Sequence, residues 1–288
     1  MILPEFILTS RQNQIWTESG LDSFDKCLDK QHFKNYQHQI TYNYNSRGFR
    51  DTEWPDNITE LQDSIWCFGD SFTVGIGSPL THTWVNLLQS KLNQRCINVS
   101  MDGASNKWIA KKVIQVLKTI KPKIIAIQWS HTQRGESDDV SLTDEARRID
   151  CWSTNINQIL EQNYELIIGV ESNKNNCSII HSSIPEVSQF CQEHIVSVWN
   201  QIKGTSWPEL PKTLDEFYGL PGFVVNELTN IFKIYKLFQL YYTSSENIIQ
   251  TSEIITQDLA RDGNHYDVLT ATKFVVQLEN LIADLRLT

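Results

Sequence analysis

Ser71, Asp262 and His265 are the residues of this 288-residue chain whose types and spacing could do chemistry together. Ser71 closes the run Ser64, Ile65, Trp66, Cys67, Phe68, Gly69, Asp70, Ser71, in which an apolar stretch breaks at Gly-Asp-Ser and passes on through Gly75 and Gly77. That pattern predicts a buried strand, a tight glycine turn and a helical segment from near His82, with the hydroxyl delivered to the edge of a sheet. A serine hydroxyl is a weak nucleophile until a base takes its proton and a third group orients that base. Asp262-Gly263-Asn264-His265 supplies both types three residues apart, on a turn ahead of an amphipathic stretch carrying Phe274, Val275, Leu278, Leu281, Ile282 and Leu285. The carboxylate can then reach one ring nitrogen while the other faces the serine. Taken singly, each residue has a plainer role: Ser71 as a helix cap, Asp262 as a turn residue, His265 as a satisfied histidine. Thr73 stands where a Gly-x-Ser-x-Gly nucleophile elbow has its second glycine, so the motif is a different one.

Gly69-Asp70-Ser71 near the start of an α/β pattern and Asp262-x-x-His265 near its end resemble the first and last blocks of the SGNH (GDSL-type) hydrolase family. Asn98 to Asn106, with Gly103 at its centre, is similar to the family's second block, a glycine after the second strand. The third block, Gly-x-Asn-Asp in the family, is replaced by Ile127, Gln128, Trp129, Ser130, His131, Thr132, Gln133, Arg134. The resemblance spans roughly residues 64 to 285. It implies a Ser71, His265 and Asp262 triad acting through an acyl-enzyme, with no cofactor and no metal. It also implies an oxyanion hole built on the backbone N–H groups of Ser71 and Gly103. The family's asparagine donor is missing, and Ser130, His131 or Asn106 is expected in its place. Asn106 could equally cap the next helix, and His131 and Arg134 could equally lie on a solvated loop. Asp70, Asn106 and Arg134 are further candidates for substrate contacts. Family members are esterases, lipases and carbohydrate deacetylases, so the expected substrate is a small O-acyl ester or an acylated carbohydrate such as an O-acetyl ester. A second reading is a non-catalytic SGNH-like module that binds a glycan or a protein within an assembly. The chain also resembles SGNH-like proteins of aquatic bacteria and their viruses, which makes a virus-encoded origin one expectation.

The elements that must position these residues follow from periodicity. From Ser64 onward, strands and helices alternate, which predicts an α/β three-layer sandwich around a parallel sheet. Strands are expected at Ser64–Phe68, Cys96–Val99, Lys123–Trp129, Glu165–Val170 and Asn247–Ile255. Helices are expected around Trp84–Leu92 and Trp108–Ile120, and over a segment carrying Ala146, Ile149, Ile156, Ile159 and Leu160. Five strands with the nucleophile on the first suit the flavodoxin-like order 2-1-3-4-5. Residues 1–62 are expected to pack on this core as an N-terminal extension, and residues 63–288 to form the hydrolase-like domain, with a helical insertion at about 172–246. Within that insertion, the Pro, Gly and aromatic stretch from Gly204 to Phe223 reads as a packed connection or as a lid. In the extension, Asn45-Ser46-Arg47-Gly48-Phe49-Arg50 offers Arg47 or Arg50 as a group that could reach an acidic substrate, against plain packing on the sheet.

Charge and composition set the outer limits. With 25 basic residues against 34 acidic ones and a net charge of -9, the chain has no basic stripe to neutralise phosphates, so nucleic acid is not an expected partner. No apolar run reaches membrane-spanning length, and the start Met1-Ile2-Leu3-Pro4-Glu5 lacks a signal peptide's basic region. A soluble or cytoplasmic protein is the expectation. The six cysteines are scattered without Cys-x-x-Cys pairs, which reads as buried free thiols rather than a disulfide or zinc framework.

Overall fold

The computed structural model describes residues 9–27, 31–131, 134–139, 141–144, 146–150, 156–184 and 257–287. In chain order the helices are α1 (Phe24–Cys27), α2 (Gln31–Asn35), α3 (Ile58–Asp63), α4 (Ser71–Val74), α5 (Trp84–Leu92), α6 (Asn106–Thr119), α7 (Ile156–Ser172) and α8 (Val268–Leu287). The strands are β1 (Ile15–Trp16), β2 (Tyr42–Asn43), β3 (Ile65–Gly69), β4 (Cys96–Ser100), β5 (Ile124–Trp129), β6 (Arg134–Glu136), β7 (Arg148–Asp150) and β8 (Ser178–Ser183).

The main sheet has the order β4-β3-β5-β8, and all three pairings are parallel. Every residue of β3, β4 and β5 is buried, which is why these strands read as apolar runs rather than alternating ones. Side chains still alternate between faces. Trp66, Phe68, Ile97, Ile125 and Ile179 face a core with Trp108 and Val113 of α6 and Ile167 and Val170 of α7. Ile65, Cys67, Cys96, Ala126 and Ile180 face the opposite core, closed by Trp84 and Leu88 of α5 and Phe274, Leu278 and Ile282 of α8. Helices on both faces make three layers. Four parallel strands are described where five were expected; the expected fifth strand, Asn247–Ile255, lies outside the described residues, as do most of the expected insertion and its lid-like stretch.

Two expected elements are corrected. Glu165–Val170 is not a strand: it is the last part of α7, and β8 supplies the fourth strand. Burial at Asn163, Ile167 and Val170, with Ile168 exposed, has helical spacing, whereas a short apolar run by itself fits either structure. Ala146 and Ile149 do not open that helix either. Ile149 pairs with Gly135 in the antiparallel β6–β7 hairpin, and α7 starts at Ile156.

Local capping fixes the ends that matter. Ser105 caps α6 by accepting from Trp108 N–H, so the capping role open to Asn106 belongs to its neighbour. Thr83 caps α5, and Asn93 ends it in the left-handed region. Of the described cysteines, Cys67, Cys96 and Cys177 are buried free thiols.

Candidate active site

The central strand β3 ends at Gly69, and the chain turns at once into α4, whose first residue is Ser71. Gly69 is required by close approach: a Cβ there would lie 2.0 Å from Thr73 Oγ1 and 3.1 Å from the Gln128 carbonyl oxygen. Asp70 caps α4, its Oδ1 accepting from Phe72 N–H at 3.0 Å, and Gly75 closes it at φ 75°. The turn after β4 lies alongside, because Gly69 pairs with Ser100 and Met101 N–H donates to the Gly69 carbonyl at 3.3 Å. Gly103 occupies that second turn at φ 71°. Both Ser71 and Gly103 are buried, and among the described residues neither backbone N–H has a hydrogen-bond partner.

The loop ahead of α8 brings in the other two groups. His265 Nε2 is 2.8 Å from Ser71 Oγ, and His265 Nδ1 is 2.5 Å from Asp262 Oδ2. Oδ1 of Asp262 accepts from the backbone N–H groups of Asn264 and His265, both at 3.1 Å, so the carboxylate is held by the turn it belongs to. With Asp262 accepting a hydrogen bond from Nδ1–H, Nε2 is the ring nitrogen that faces the hydroxyl as an acceptor. Burial pulls the His265 pKa down, but the hydrogen bond and charge of Asp262, with Asp102 and Asp70 behind, outweigh it and leave it above the ordinary value. Burial raises the Asp262 pKa, and His265 together with the two backbone donors more than reverses that. Phe72 lies at this site as well. Its ring centroid is 4.4 Å from that of His265, 5.4 Å from that of Tyr266 and 6.3 Å from that of His131.

The remaining candidates have other employment. Ser130, one of the expected oxyanion donors, gives its hydroxyl proton in a hydrogen bond to Asp70 Oδ2 at 2.7 Å, and its N–H donates to Asn106 Oδ1 at 2.7 Å. Asp70, expected as a substrate contact, is fully buried and also accepts from Arg134 at 2.8 Å, which ties the β6–β7 hairpin to the cap of α4. Arg134 is thereby a partner of Asp70 and Ser130 rather than a free cation. Asn106 is buried, and both amide protons are used, on the Ser130 carbonyl at 3.1 Å and on Asn163 Oδ1 at 2.6 Å. An unpaired buried donor or acceptor is costly, and these groups satisfy one another. Arg50 is buried, and it donates to the carbonyls of Val74, Gly75 and Ser78. His131 is half-buried beside Phe72.

Sequence reasoning missed Asp22, Tyr42 and Arg261, which bond to one another around the loop that carries Asp262. The adjacency of Arg261 to Asp262 was the only available signal. Among the described residues, no group of three or more His, Cys, Asp or Glu side chains could hold a metal ion. Nor is any helix there long and apolar enough to cross a membrane.

No family model matches the chain, and no curated protein does. Solved structures similar to it include the psychrotrophic esterase EstA from Pseudoalteromonas sp., at 11% identity and a TM-score of 0.43 over 78% of this chain and 100% of that one. A lipase/acylhydrolase from Enterococcus faecalis is similar at 14% identity and a TM-score of 0.42, over 78% of this chain and 94% of that one. A carbohydrate esterase family 2 enzyme with a carbohydrate binding domain, from Corynascus thermopiles (Myceliophthora fergusii), is similar at 11% identity and a TM-score of 0.44, over 85% of this chain and 70% of that one.

Proposed function

We propose that the chain is a serine hydrolase of the SGNH type that cleaves a small O-acyl ester, an acetylated carbohydrate among the candidate substrates. The observation that carries this reading is the contact of Ser71 Oγ with His265 Nε2 at 2.8 Å while Asp262 holds Nδ1. In the first half-reaction, Ser71 Oγ attacks the ester carbonyl, His265 takes its proton, and Asp262 stabilises the imidazolium. Collapse of the tetrahedral intermediate expels the alcohol, which receives the proton from His265 and leaves an acyl-serine. Water then repeats the sequence and releases the acid. The negative charge on the carbonyl oxygen needs preorganised donors, and the unengaged N–H groups of Ser71 and Gly103 fit that role. Among the side chains expected to join them, Ser130 and Asn106 have committed their donors, and His131, whose ring lies beside Phe72, is the proposed third donor.

A fluorophosphonate probe with intact-mass analysis tests for an activated serine without knowledge of the substrate. One adduct is expected on the native chain and none on Ser71→Ala, whose stability should stay within about 1 kcal/mol of the parent. His131→Ala should lower kcat on p-nitrophenyl acetate by roughly tenfold to a hundredfold at nearly constant KM. A native chain that takes no label overturns the hydrolase reading in favour of a binding module.

A further inference from the structure

Resting on that reading, we infer that Asp22 is a positioning residue for Ser71 and His265, acting through Arg261 and Tyr42 from the N-terminal part of the chain. Asp22 is fully buried and receives Arg261 as a fork, with Nε on Oδ1 and an Nη on Oδ2, both at 2.7 Å. This geometry fixes the direction as well as the distance of the guanidinium. Arg261 immediately precedes Asp262, so its main chain is anchored where the acid-base loop begins. The same carboxylate accepts from the Tyr42 hydroxyl at 2.5 Å, and that hydroxyl in turn accepts from Gly77 N–H at 2.8 Å.

Gly77 belongs to the loop that follows Ser71 and α4, and its carbonyl accepts from Arg261 N–H at 2.8 Å. Asp22 therefore holds both catalytic loops: one through Arg261, the other through Tyr42. There is little slack where they meet. Gly77 has φ 78°, and a Cβ there would lie 2.9 Å from Ala260 Cβ and 3.0 Å from Asp262 Oδ1. Ser71 and His265 lie 194 positions apart in the sequence, and a displacement of about 1 Å between such groups can cost on the order of a hundredfold in rate.

The test uses the full chain. Asp22→Asn keeps the size of the side chain and removes its charge. It is expected to lower kcat on p-nitrophenyl acetate, and the rate of fluorophosphonate labelling, by about tenfold to a hundredfold with KM within about twofold. Arg261→Gln should do the same, and the double variant should be no worse than the worse single one, because both break one contact. A purely structural role would lower the melting temperature yet leave the folded fraction labelling at the parent rate, and that result overturns the inference. Should Asp22→Asn fail to fold, Tyr42→Phe deletes only the bridging hydroxyl and should slow labelling by about threefold to tenfold; parent-rate labelling of folded Tyr42→Phe overturns the inference equally. Proton NMR separates this inference from the hydrolase reading. The His265 Nδ1 proton shared with Asp262 should give a low-field signal that is absent in His265→Gln and shifted or lost in Asp22→Asn. A native chain that takes no label but whose signal moves in Asp22→Asn defeats the hydrolase reading and leaves the positioning intact; an unmoved signal defeats the positioning.

Discussion

His265 and His181 are both buried imidazoles bonded to a carboxylate, the first to Asp262 at 2.5 Å and the second to Glu171 at 2.8 Å. They differ in what the second ring nitrogen meets. For His265 it is the Ser71 hydroxyl, which can either give or accept a proton. For His181 it is the indole N–H of Trp129 at 3.1 Å, which can only donate. His181 Nδ1 must therefore accept, and Nε2 carries the proton given to Glu171. Protonating His181 would set N–H against N–H, whereas protonating His265 keeps both of its bonds. The pKa values part accordingly. Burial lowers that of His181, and the Glu171 hydrogen bond and charge do not recover it, whereas Asp262, Asp102 and Asp70 lift His265 above its ordinary value. An imidazole and a carboxylate in contact do not by themselves make a base. The group on the other nitrogen decides.

The sharpest way to break this comparison is to make the same substitution at both sites. His265→Gln should reduce ester hydrolysis by roughly 10⁴-fold, the scale on which serine hydrolases lose rate when a triad member is removed. His181→Gln should keep kcat within about threefold and instead cost about 1 to 2 kcal/mol of stability, because Trp129 and Glu171 are left imperfectly paired in the core. Steady-state kinetics and denaturant unfolding of both variants check this. A large rate loss at His181 with stability intact would erase the distinction.

What the sequence disclosed divides along the same line. Ser71, Asp262 and His265 were legible because each stands in a short motif at the end of a strand or the start of a helix. The Glu171 to His181 pair was not, since its partners are ten positions apart on α7 and β8, and the apolar run late in α7 fits a strand as well as a helix. Ser130 was legible as a residue beside Ser71, but nothing local told that its hydroxyl would donate to the Asp70 carboxylate. Asp22 and Arg261 lie 239 positions apart, a contact that only the assembled sheet creates.

As pH changes, the two histidines should pull stability in opposite directions. The folded pKa of His265 is raised, so its contribution is fully present below the ordinary histidine value of about 6.5 and is lost as pH rises through the folded value. The folded pKa of His181 is lowered, so its contribution is present above about 6.5 and is lost as pH falls through the folded value. Burial raises the Glu171 pKa, but the hydrogen bonds and charges of His181 and Lys174 bring it down to about 2, so the carboxylate's own contribution disappears only in stronger acid. In melts from pH 5 to 8, the gap between the native chain and His265→Gln should widen towards acid, and the gap to His181→Gln should widen towards neutrality. With His265 as the proposed base, hydrolysis requires its neutral form, so the rate should rise with pH and inflect above about 6.5. Gaps of the same slope, or a rate flat from pH 5 to 9, would refute the assignment of opposite shifts.

The smallest expected effect tests whether the surface around His181 matters at all. Lys174 Nζ sits 2.8 Å from Glu171 Oε2, with about half of the lysine side chain in solvent, and its charge helps to lower the His181 pKa. Exposed pairs of this kind contribute between zero and about 1 kcal/mol, because water screens the charges and ordering a long side chain offsets much of the attraction. Lys174→Met keeps the length of the stem and removes the charge. It should change stability by about 0.5 kcal/mol or less, move the His181 titration slightly upward by NMR, and leave hydrolysis within twofold. The upward direction follows from losing a positive neighbour while Glu171, no longer shared, bonds to His181 alone. A downward shift would mean that Lys174 acts through the geometry of Glu171 rather than through its charge. A change in hydrolysis beyond twofold would mean that the two histidine sites are coupled across the sheet.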